Sequence, residues 1–421
     1  MSDTNFFRRH AIWFAIAAVF LVLPLVFQSE ATLKVLAQIS ITVIFALSYN
    51  MLLGQGGMLS FGHAVYFGMA GYMSCAMLDA IDQNGIYFPV MFMPVIGALT
   101  GLFWGVIFGF VSTKRAGVTF ALITLGIGEL MATAALTFNN YFGGEMGRST
   151  DRMVGPELLG LTYGPQIQVY FVVAAWTFLC MIAIYAYTHT PLGRMAQAVR
   201  DNPERVAFVG YDPVRVRFYV FSLAGLFAGI AGSLFAINLE IVTAEAIGES
   251  ESASVLIAAY IGGLGHFFGP VIGAVVTGWL SMELADFTDA WLLYLGLFFM
   301  IVVLYMPQGL AGLIAMHQPV WRARMMGRLW SPYWRVGIPG AALFVGVVII
   351  VEMAFHLSIK ANAEGTEMSI MGVPFDSAGI VPWAIAVTLV GAGGYFMRRG
   401  FPAVSETWQE IGDALRGGGG G

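Results

Sequence analysis

The 421 residues are 58% hydrophobic and only 11% charged, with 20 lysines and arginines against 25 carboxylates and a formal net charge of −5. An ordinary soluble domain is about 25% charged, and a soluble core grows too slowly with chain length to hide this much apolar surface. The composition therefore excludes a soluble globular fold and makes the bilayer the solvent for most of the chain, as helices or a closed barrel. The apolar runs are continuous over roughly 17–25 residues rather than alternating over about ten, which selects an all-α polytopic protein.

In chain order, spans are expected over 11–28, 32–53, 58–78, 88–111, 117–138, 167–188, 217–239, 253–263, 269–288 and 290–306, then over 336–357 and 381–397. Arg8 and Arg9 precede the first run. Leu23-Pro24-Leu25-Val26 offers no small-residue cleavage site, so the run is kept as a span. The 253–263 segment is short for a crossing and reads as a tilted half-helix or a re-entrant segment. The expected organisation is a core of about ten spans over 1–315, a cytoplasmic linker over 316–335, two further spans within 336–397, and a cytoplasmic tail over 398–421 ending in Gly417–Gly421.

Alternate loops divide the positive charge. With the N-terminus in the cytoplasm, 16 of the 20 lysines and arginines fall on the cytoplasmic side, and only Lys34, Arg148, Arg152 and Lys360 fall on the other. This bias sets both termini inside. It also requires 253–263 to cross, since otherwise the Arg322–Arg335 cluster would face outward.

Chemistry-bearing motifs are sparse. No phosphate-cradling Gly-x-x-x-x-Gly-Lys-Ser/Thr appears, so the chain is not expected to hydrolyse ATP itself. The six histidines are scattered without metal-ligand spacing, and Cys75 and Cys180 lie inside apolar runs. No catalytic site, metal or cofactor is expected in this chain. His63 and His266 each follow a glycine and precede a Phe-Gly or follow one closely, a hint of related helix breaks. The 52 glycines serve close helix packing or break helices near a path.

The most informative hydrophilic stretch is 189–217. Asp201 or Asn202 can cap a helix that starts at Pro203, Glu204 complements its dipole, and Gly210 fits its stop. A short helix over about 203–209 is expected outside the membrane, with Val206, Ala207 and Val209 supplying small apolar contacts and a helix over 194–199 before it. Such a capped helix suits docking to a soluble partner; a plain connector facing water and anionic lipid is the other reading. Inside the spans, Glu129 must face the bundle or a cavity, because a charge at mid-bilayer costs about 2.5–3.5 kcal/mol on insertion scales. Asn50, Ser60 and Thr124 either line a path with it or act as interhelical glue.

Pro191-Leu192-Gly193-Arg194 through Arg200-Asp201-Asn202-Pro203 to Gly210-Tyr211-Asp212 resembles the cytoplasmic loop of ABC-transporter permeases for branched-chain amino acids, of the LivM type. Ala46-Leu47-Ser48-Tyr49-Asn50-Met51-Leu52-Leu53-Gly54 with Leu59-Ser60-Phe61-Gly62-His63-Ala64 agrees in order, as does Thr119-Phe120-Ala121-Leu122-Ile123-Thr124-Leu125. So do Ile261-Gly262-Gly263-Leu264-Gly265, Phe268-Gly269-Pro270 and Pro307-Gln308-Gly309-Leu310. The resemblance covers about 30–315 and leaves 320–421 as an addition. It implies a permease in a bacterial inner membrane that pairs with a second homologous permease. It also implies two ABC ATPase subunits that hydrolyse ATP and a periplasmic substrate-binding protein. By the same resemblance, Arg200, Asp201, Glu204, Ala207 and Gly210 couple to the ATPase. Arg205 and Val206 stand where the family's coupling motif has alanines. Membrane lipid is an expected partner and nucleic acid is not. The rival reading is an ion-coupled secondary transporter of a small polar solute, for which one mid-span glutamate is thin support.

Overall fold

The computed structural model describes residues 3–417 apart from 159, 362–364 and 371, with side chains from Ala11 onward, Lys360 excepted. The glycines 418–421 and the side chains of Arg8, Arg9 and Lys360 lie outside the described residues. The chain divides into two compact units, residues 1–286 with 295–312, and 287–294 with 313–421.

The first unit opens with α1 (Asp3–Val26) and α2 (Glu30–Asn50), which runs on as a π-helical turn to Gln55. Then come α3 (Ala64–Asn84), α4 (Met93–Ser112), α5 (Val118–Thr137) and the single turn α6 (Asn139–Phe142). Strand β1 (Arg148–Ser149) precedes α7 (Gln166–His189), and α8 (Pro191–Asp201) and α9 (Pro203–Phe208) follow. The long α10 (Pro213–Leu239) leads to β2 (Ile241–Val242), then α11 (Glu249–Gly262), α12 (Gly269–Phe287), α13 (Trp291–Tyr305) and α14 (Gly309–Arg322). The second unit is built on α15 (Met326–Phe355), the hairpin of β3 (Glu367–Ile370) and β4 (Val373–Asp376), and α16 (Ile380–Gly417). Among the described residues, eight helices are long and apolar enough to cross a membrane, or nine if the α13–α14 pair, bent by 48°, is one span. The chain is thus a multi-pass helical membrane protein.

Small residues decide how the first unit packs. Gly97, Gly101, Gly105 and Gly109 recur every fourth residue on α4 and so share one face. Gly97, Gly101 and Gly105 meet Ser222, Gly225, Gly229 and Ser233 of the antiparallel α10, and Gly109 meets Phe218 and Phe221, so closely that a Cβ at Gly101 would strike the Gly225 carbonyl oxygen. Lipid tails are as apolar as leucine, so such backbone approach and buried hydrogen bonds hold membrane helices together. Ser74 of α3 donates to Ser233 of α10 at 2.8 Å, and Thr177 of α7 donates to the Ser40 carbonyl of α2 at 3.2 Å.

Two chain breaks shape the centre. After Gln55 the chain does not continue as helix: residues 56–63 form an irregular, non-helical stretch, and α3 begins only at Ala64, six residues later than expected from the apolar run 58–78. Gly56, Gly57 and Gly62 break the helix while Met58, Leu59 and Phe61 keep the run apolar, so hydropathy alone could not see the break. The start of α3 packs beside the middle of α10, with Tyr66 against Phe221 and Gly225, so it lies deep in the core. The second break follows α10. Residues 240–248 return beside α3, with Gly68 against Ala246, and α11 then leads to a turn that sets the Leu264 carbonyl beside Gly54. The short 253–263 segment falls in α11 and its C-cap Gly263; α11 is the helical part of a return from the end of α10 whose earlier part is this loop. The first residues of α3 and α11 meet, as the Ala64 N–H donates to Ser252 Oγ at 3.0 Å.

In the second unit α15 and α16 form an antiparallel pair, in contact at Gly346 with Ala386 and at Gly393 with Pro339 and Leu343. The expected linker over 316–335 is helical, being the end of α14 and the first turns of α15. The expected tail continues α16 without interruption to Gly417.

Candidate functional site

The end of the first unit that carries Gly54 also carries α8 and α9. Three successive cap-proline pairs build it. Thr190 accepts from the Gly193 N–H before α8, Asn202 accepts from Arg205 before α9, and Asp212 accepts from Val214 and Arg215 before α10. Each cap is followed by proline at the first helical position, where its missing N–H costs nothing. The expected short helix therefore forms, ending at Phe208, and Gly210 follows with φ +92°, which favours glycine.

Of the residues on α9, only Val206 is buried. Ala207 and Val209, expected to make apolar contacts, are exposed because the helix projects from the bundle. Phe208 is 90% exposed and Val209 69%, with Tyr211 also exposed. Glu204 is exposed, and Asp201 faces solvent while accepting from Arg200 Nε at 3.0 Å. The sequence reading missed Phe208 and Tyr211. Their signal was large apolar side chains between two capped helices, beside a glycine stop.

Arg200 ties this knob to the helix break. Its guanidinium donates to the Gly54 carbonyl oxygen, and its stem lies over Gly57, where a Cβ would come within 2.7 Å of Arg200 Cγ. Gly57 has φ +65° and leaves room for that stem. The residues next in line are those singled out inside the spans. Asn50 Oδ1, Gln55 Oε1 and Ser60 Oγ are buried without a hydrogen-bond partner among the described residues. The Ser60 carbonyl accepts from Tyr49 OH at 3.0 Å. Thr124 accepts from the Phe61 N–H at 3.2 Å and donates to the Ala121 carbonyl at 2.9 Å, so it holds the non-helical stretch to α5. Ser48 Oγ and His63 Nε2 pair at 2.9 Å.

Glu129 stands apart from this cluster. It is exposed on α5, about a turn beyond Thr124, and lines an open groove of about 510 Å³ with Glu145, Glu245 and Glu249. The structure therefore brings Asn50, Ser60 and Thr124 together around the break and sets Glu129 among three carboxylates that sequence reasoning did not associate with it. They come from three separated segments, the 143–147 turn, the 240–248 loop and the start of α11.

The opposite end is stitched by arginines. Arg148 donates to Asp79 through Nε at 2.9 Å and Nη2 at 2.7 Å, and Thr150 donates to the same carboxylate at 3.1 Å. Buried Arg152 donates to the Tyr163 and Gly164 carbonyls at 2.8 and 3.2 Å and faces Glu240 at 3.8 Å. These contacts and the β1–β2 pairing fold the long 138–165 connection over the ends of α3 and α10.

Comparison with known proteins adds three relatives. Residues 31–307 match the family described as the permease component of the branched-chain amino acid transport system. The high-affinity branched-chain amino acid transport system permease protein LivM of Escherichia coli (strain K12) is 26% identical over 303 residues, covering 67% of this chain and 70% of that one. The probable branched-chain amino acid transport permease protein LivH of Methanocaldococcus jannaschii is 26% identical over 242 residues, covering 57% and 75%. The fructose import permease protein FrcC of Rhizobium meliloti is 24% identical over 221 residues, covering 49% and 60%. No solved structure matches the chain.

Proposed function

The chain belongs to the family of branched-chain amino acid transport system permease components, and from that membership we propose that it is one membrane subunit of an ATP-driven importer. It forms the path with a second homologous permease, receives substrate from a periplasmic binding protein, and is driven by two separate ABC ATPase subunits. The membrane is the bacterial inner membrane, with both termini and the 189–217 loop in the cytoplasm, as the positive-charge bias supports. Catalysis and ATP binding belong to the partners; this chain brings no cofactor of its own.

The observation that carries the reading is the α8–α9 knob. Phe208 at the end of the capped α9, with Val209 and Tyr211 just after it, is an exposed apolar plug left unburied by the described residues. The occupant that fits is a cleft on an ATPase. Asp201, Glu204, Ala207 and Gly210 surround the plug, and Arg200 carries its displacement to Gly54 and Gly57. Closure of the ATPases then biases the break beside Asn50, Ser60 and Thr124, an exchange between two states driven by differential binding. The carboxylate groove at Glu129 suits the ammonium group of an amino acid at the opposite mouth. Branched-chain amino acids are the substrates we favour, because the LivM match covers more of the chain than the fructose permease match.

The same carboxylates give the rival some footing, as an ion-coupled carrier needs acidic groups. Reconstitution decides between them. Leucine uptake into vesicles should require the binding protein and ATP hydrolysed by the partner subunits. Uptake that persists without ATP but collapses with the proton gradient would reverse the assignment.

A further inference from the structure

Residues 313–421 lie beyond the family match, and among their arginines are six that the transport reading leaves unused: Arg322, Arg324, Arg328, Arg335, Arg398 and Arg399. Their placement follows from the lengths of α15 and α16. Val336–Val351 of α15 and Ile380–Met397 of α16 carry no charge. The second stretch rises about 27 Å at 1.5 Å per residue, close to the hydrocarbon thickness of a bilayer. Both antiparallel helices outrun that stretch at the same end, and the first residues beyond it are Arg335 on α15 and Arg398 with Arg399 on α16. These are level with one another, since a Cβ on Gly400 would lie 2.9 Å from the Arg335 carbonyl oxygen. Three guanidinium groups therefore ring one boundary of the apolar zone.

Tryptophans stand at this boundary and just outside it. Trp334 and Trp330, one turn apart with ring centroids 5.7 Å apart, are both exposed, and Trp321 is 75% exposed. Exposed indoles belong at headgroup level, where the ring is in apolar surroundings and the N–H is wet. Arg328 lies seven residues, about 10 Å, beyond Arg335, within a Debye length of the surface.

The helical extensions are built rather than frayed. Val320 of α14, Leu329 of α15 and Ile411 of α16 form a small buried core. Trp408 Nε1 donates to Tyr333 OH at 3.1 Å, and Tyr333 OH meets His317 Nε2 at 2.7 Å. His317 Nδ1 lies 2.7 Å from the Leu313 carbonyl. That carbonyl can only accept, so Nδ1 carries the proton and Nε2 accepts from the tyrosine. The clasp fixes all three helices and with them the arginines. All six are exposed, and none forms an ion pair among the described residues. Glu406, Glu410 and Asp413 recur on the face of α16 opposite Trp408 and Ile411, so they point away from the clasp.

The geometry points to a binding site for the anionic headgroups of membrane phospholipid. Arg335, Arg398 and Arg399 hold phosphodiester groups of one leaflet, Trp334 and Trp330 lie among the headgroups at and beyond that level, and Arg322, Arg324 and Arg328 add attraction from just outside. Unpaired, fork-shaped donors level with the end of an apolar helix match an anionic headgroup in charge and in height. The site does not depend on what the first unit transports.

The test uses the full-length chain in nanodiscs of equal phosphatidylglycerol and phosphatidylcholine, with retained lipids counted by native mass spectrometry. Phosphatidylglycerol should be retained preferentially, and the preference should shrink between about 50 mM and 500 mM salt as the surface attraction is screened. The variant R335Q/R398Q/R399Q should lose preference by roughly fivefold per arginine, whereas R335K/R398K/R399K should keep most of it. A wild type holding both lipids alike, or a glutamine variant with undiminished preference, overturns the proposal. Displacement of the lipid by millimolar inorganic phosphate overturns it in favour of a free-phosphate site. Binding of a short oligonucleotide with no lipid preference overturns it in favour of a nucleic-acid surface. Should the glutamine variant fail to insert, the lipid preference of the wild type and its salt dependence decide alone.

Discussion

Replacing Gly101 by alanine tests the backbone-to-backbone meeting of α4 and α10. The new Cβ would strike the Gly225 carbonyl oxygen and lie 2.9 Å from Gly229 Cα. Both obstacles are backbone, so neither can swing aside. Carbon contacts settle near 3.5–4.0 Å, and relief requires the helices to part by roughly 1 Å. Overpacking of this kind costs about 1–3 kcal/mol, with the upper half expected because Gly97 and Gly105 lose contact along with it. Gly126 on α5 supplies the control, since a Cβ there meets nothing within 4 Å. Gly126→Ala should be neutral or gain up to about 1 kcal/mol of helix propensity. With an unfolding entropy of about 2.1 cal/mol/K per residue, 1 kcal/mol shifts a chain of 421 residues by about 1 °C, so Gly101→Ala should melt roughly 2–3 °C below the wild type. Gly126→Ala should melt at or slightly above it. The assay is survival of the monodisperse peak on size exclusion after heating in detergent. A Gly101→Ala protein that melts with the wild type would show that α4 and α10 do not touch as described.

The other predictions concern the knob and the added unit. Arg200→Ala removes a charge-assisted hydrogen bond to Gly54 that is partly exposed, worth about 1 kcal/mol; uptake per ATP should fall about fivefold while hydrolysis continues, and an unchanged ratio in proteoliposomes counts against transmission through Arg200. Phe208→Asp should abolish copurification of the ATPase subunits with insertion intact, and undiminished recovery of the complex would refute docking through α9. Gly210→Val forces a side chain into φ +92°, a strain of about 1–2 kcal/mol. With Glu204→Ala it should reduce transport without reducing the amount of protein in the membrane; normal uptake from an assembled complex removes both residues from the coupling surface. Deleting residues 320–421 should leave the first unit monodisperse in detergent, and its loss would mean that the added helices support it.

How far the sequence reached depended on the kind of signal. The knob was legible because its signals are local. Asn202-Pro203 and Gly210 act within one turn, and the helix starts and stops where they stand. The start of α3 was not legible, because Met58, Leu59 and Phe61 are as apolar in an irregular chain as in a helix. Hydropathy reports the solvent of a segment rather than its conformation. The exposure of Phe208 was hidden for a related reason, as an apolar residue in a loop reads as a contact until the fold shows nothing opposite it. Glu129 was recognised as a mid-span charge, but its companions Glu145, Glu245 and Glu249 are contributed by distant segments that only the fold assembles. The branched-chain permease resemblance rested on motifs that turn out to be contact points. Gly262, Gly263, Gly269 and Gly309 pack backbone against backbone, and a Cβ at Gly263 would strike the Gln308 carbonyl.

The non-helical stretch 56–63 also constrains how the protein is made. A helix can leave the translocon and rest in lipid alone, because its backbone is already satisfied, but a non-helical segment cannot. The partners that satisfy this segment and the first residue of α3 include Thr124 of α5 and Ser252 of α11, which are synthesised 63 and 188 residues after the groups they bind. The hairpin of α2 and α3 therefore cannot reach its final form when it is made. It must wait, shielded or differently folded, until most of the first unit has followed it into the membrane, so biogenesis closes at a point near the beginning of the chain.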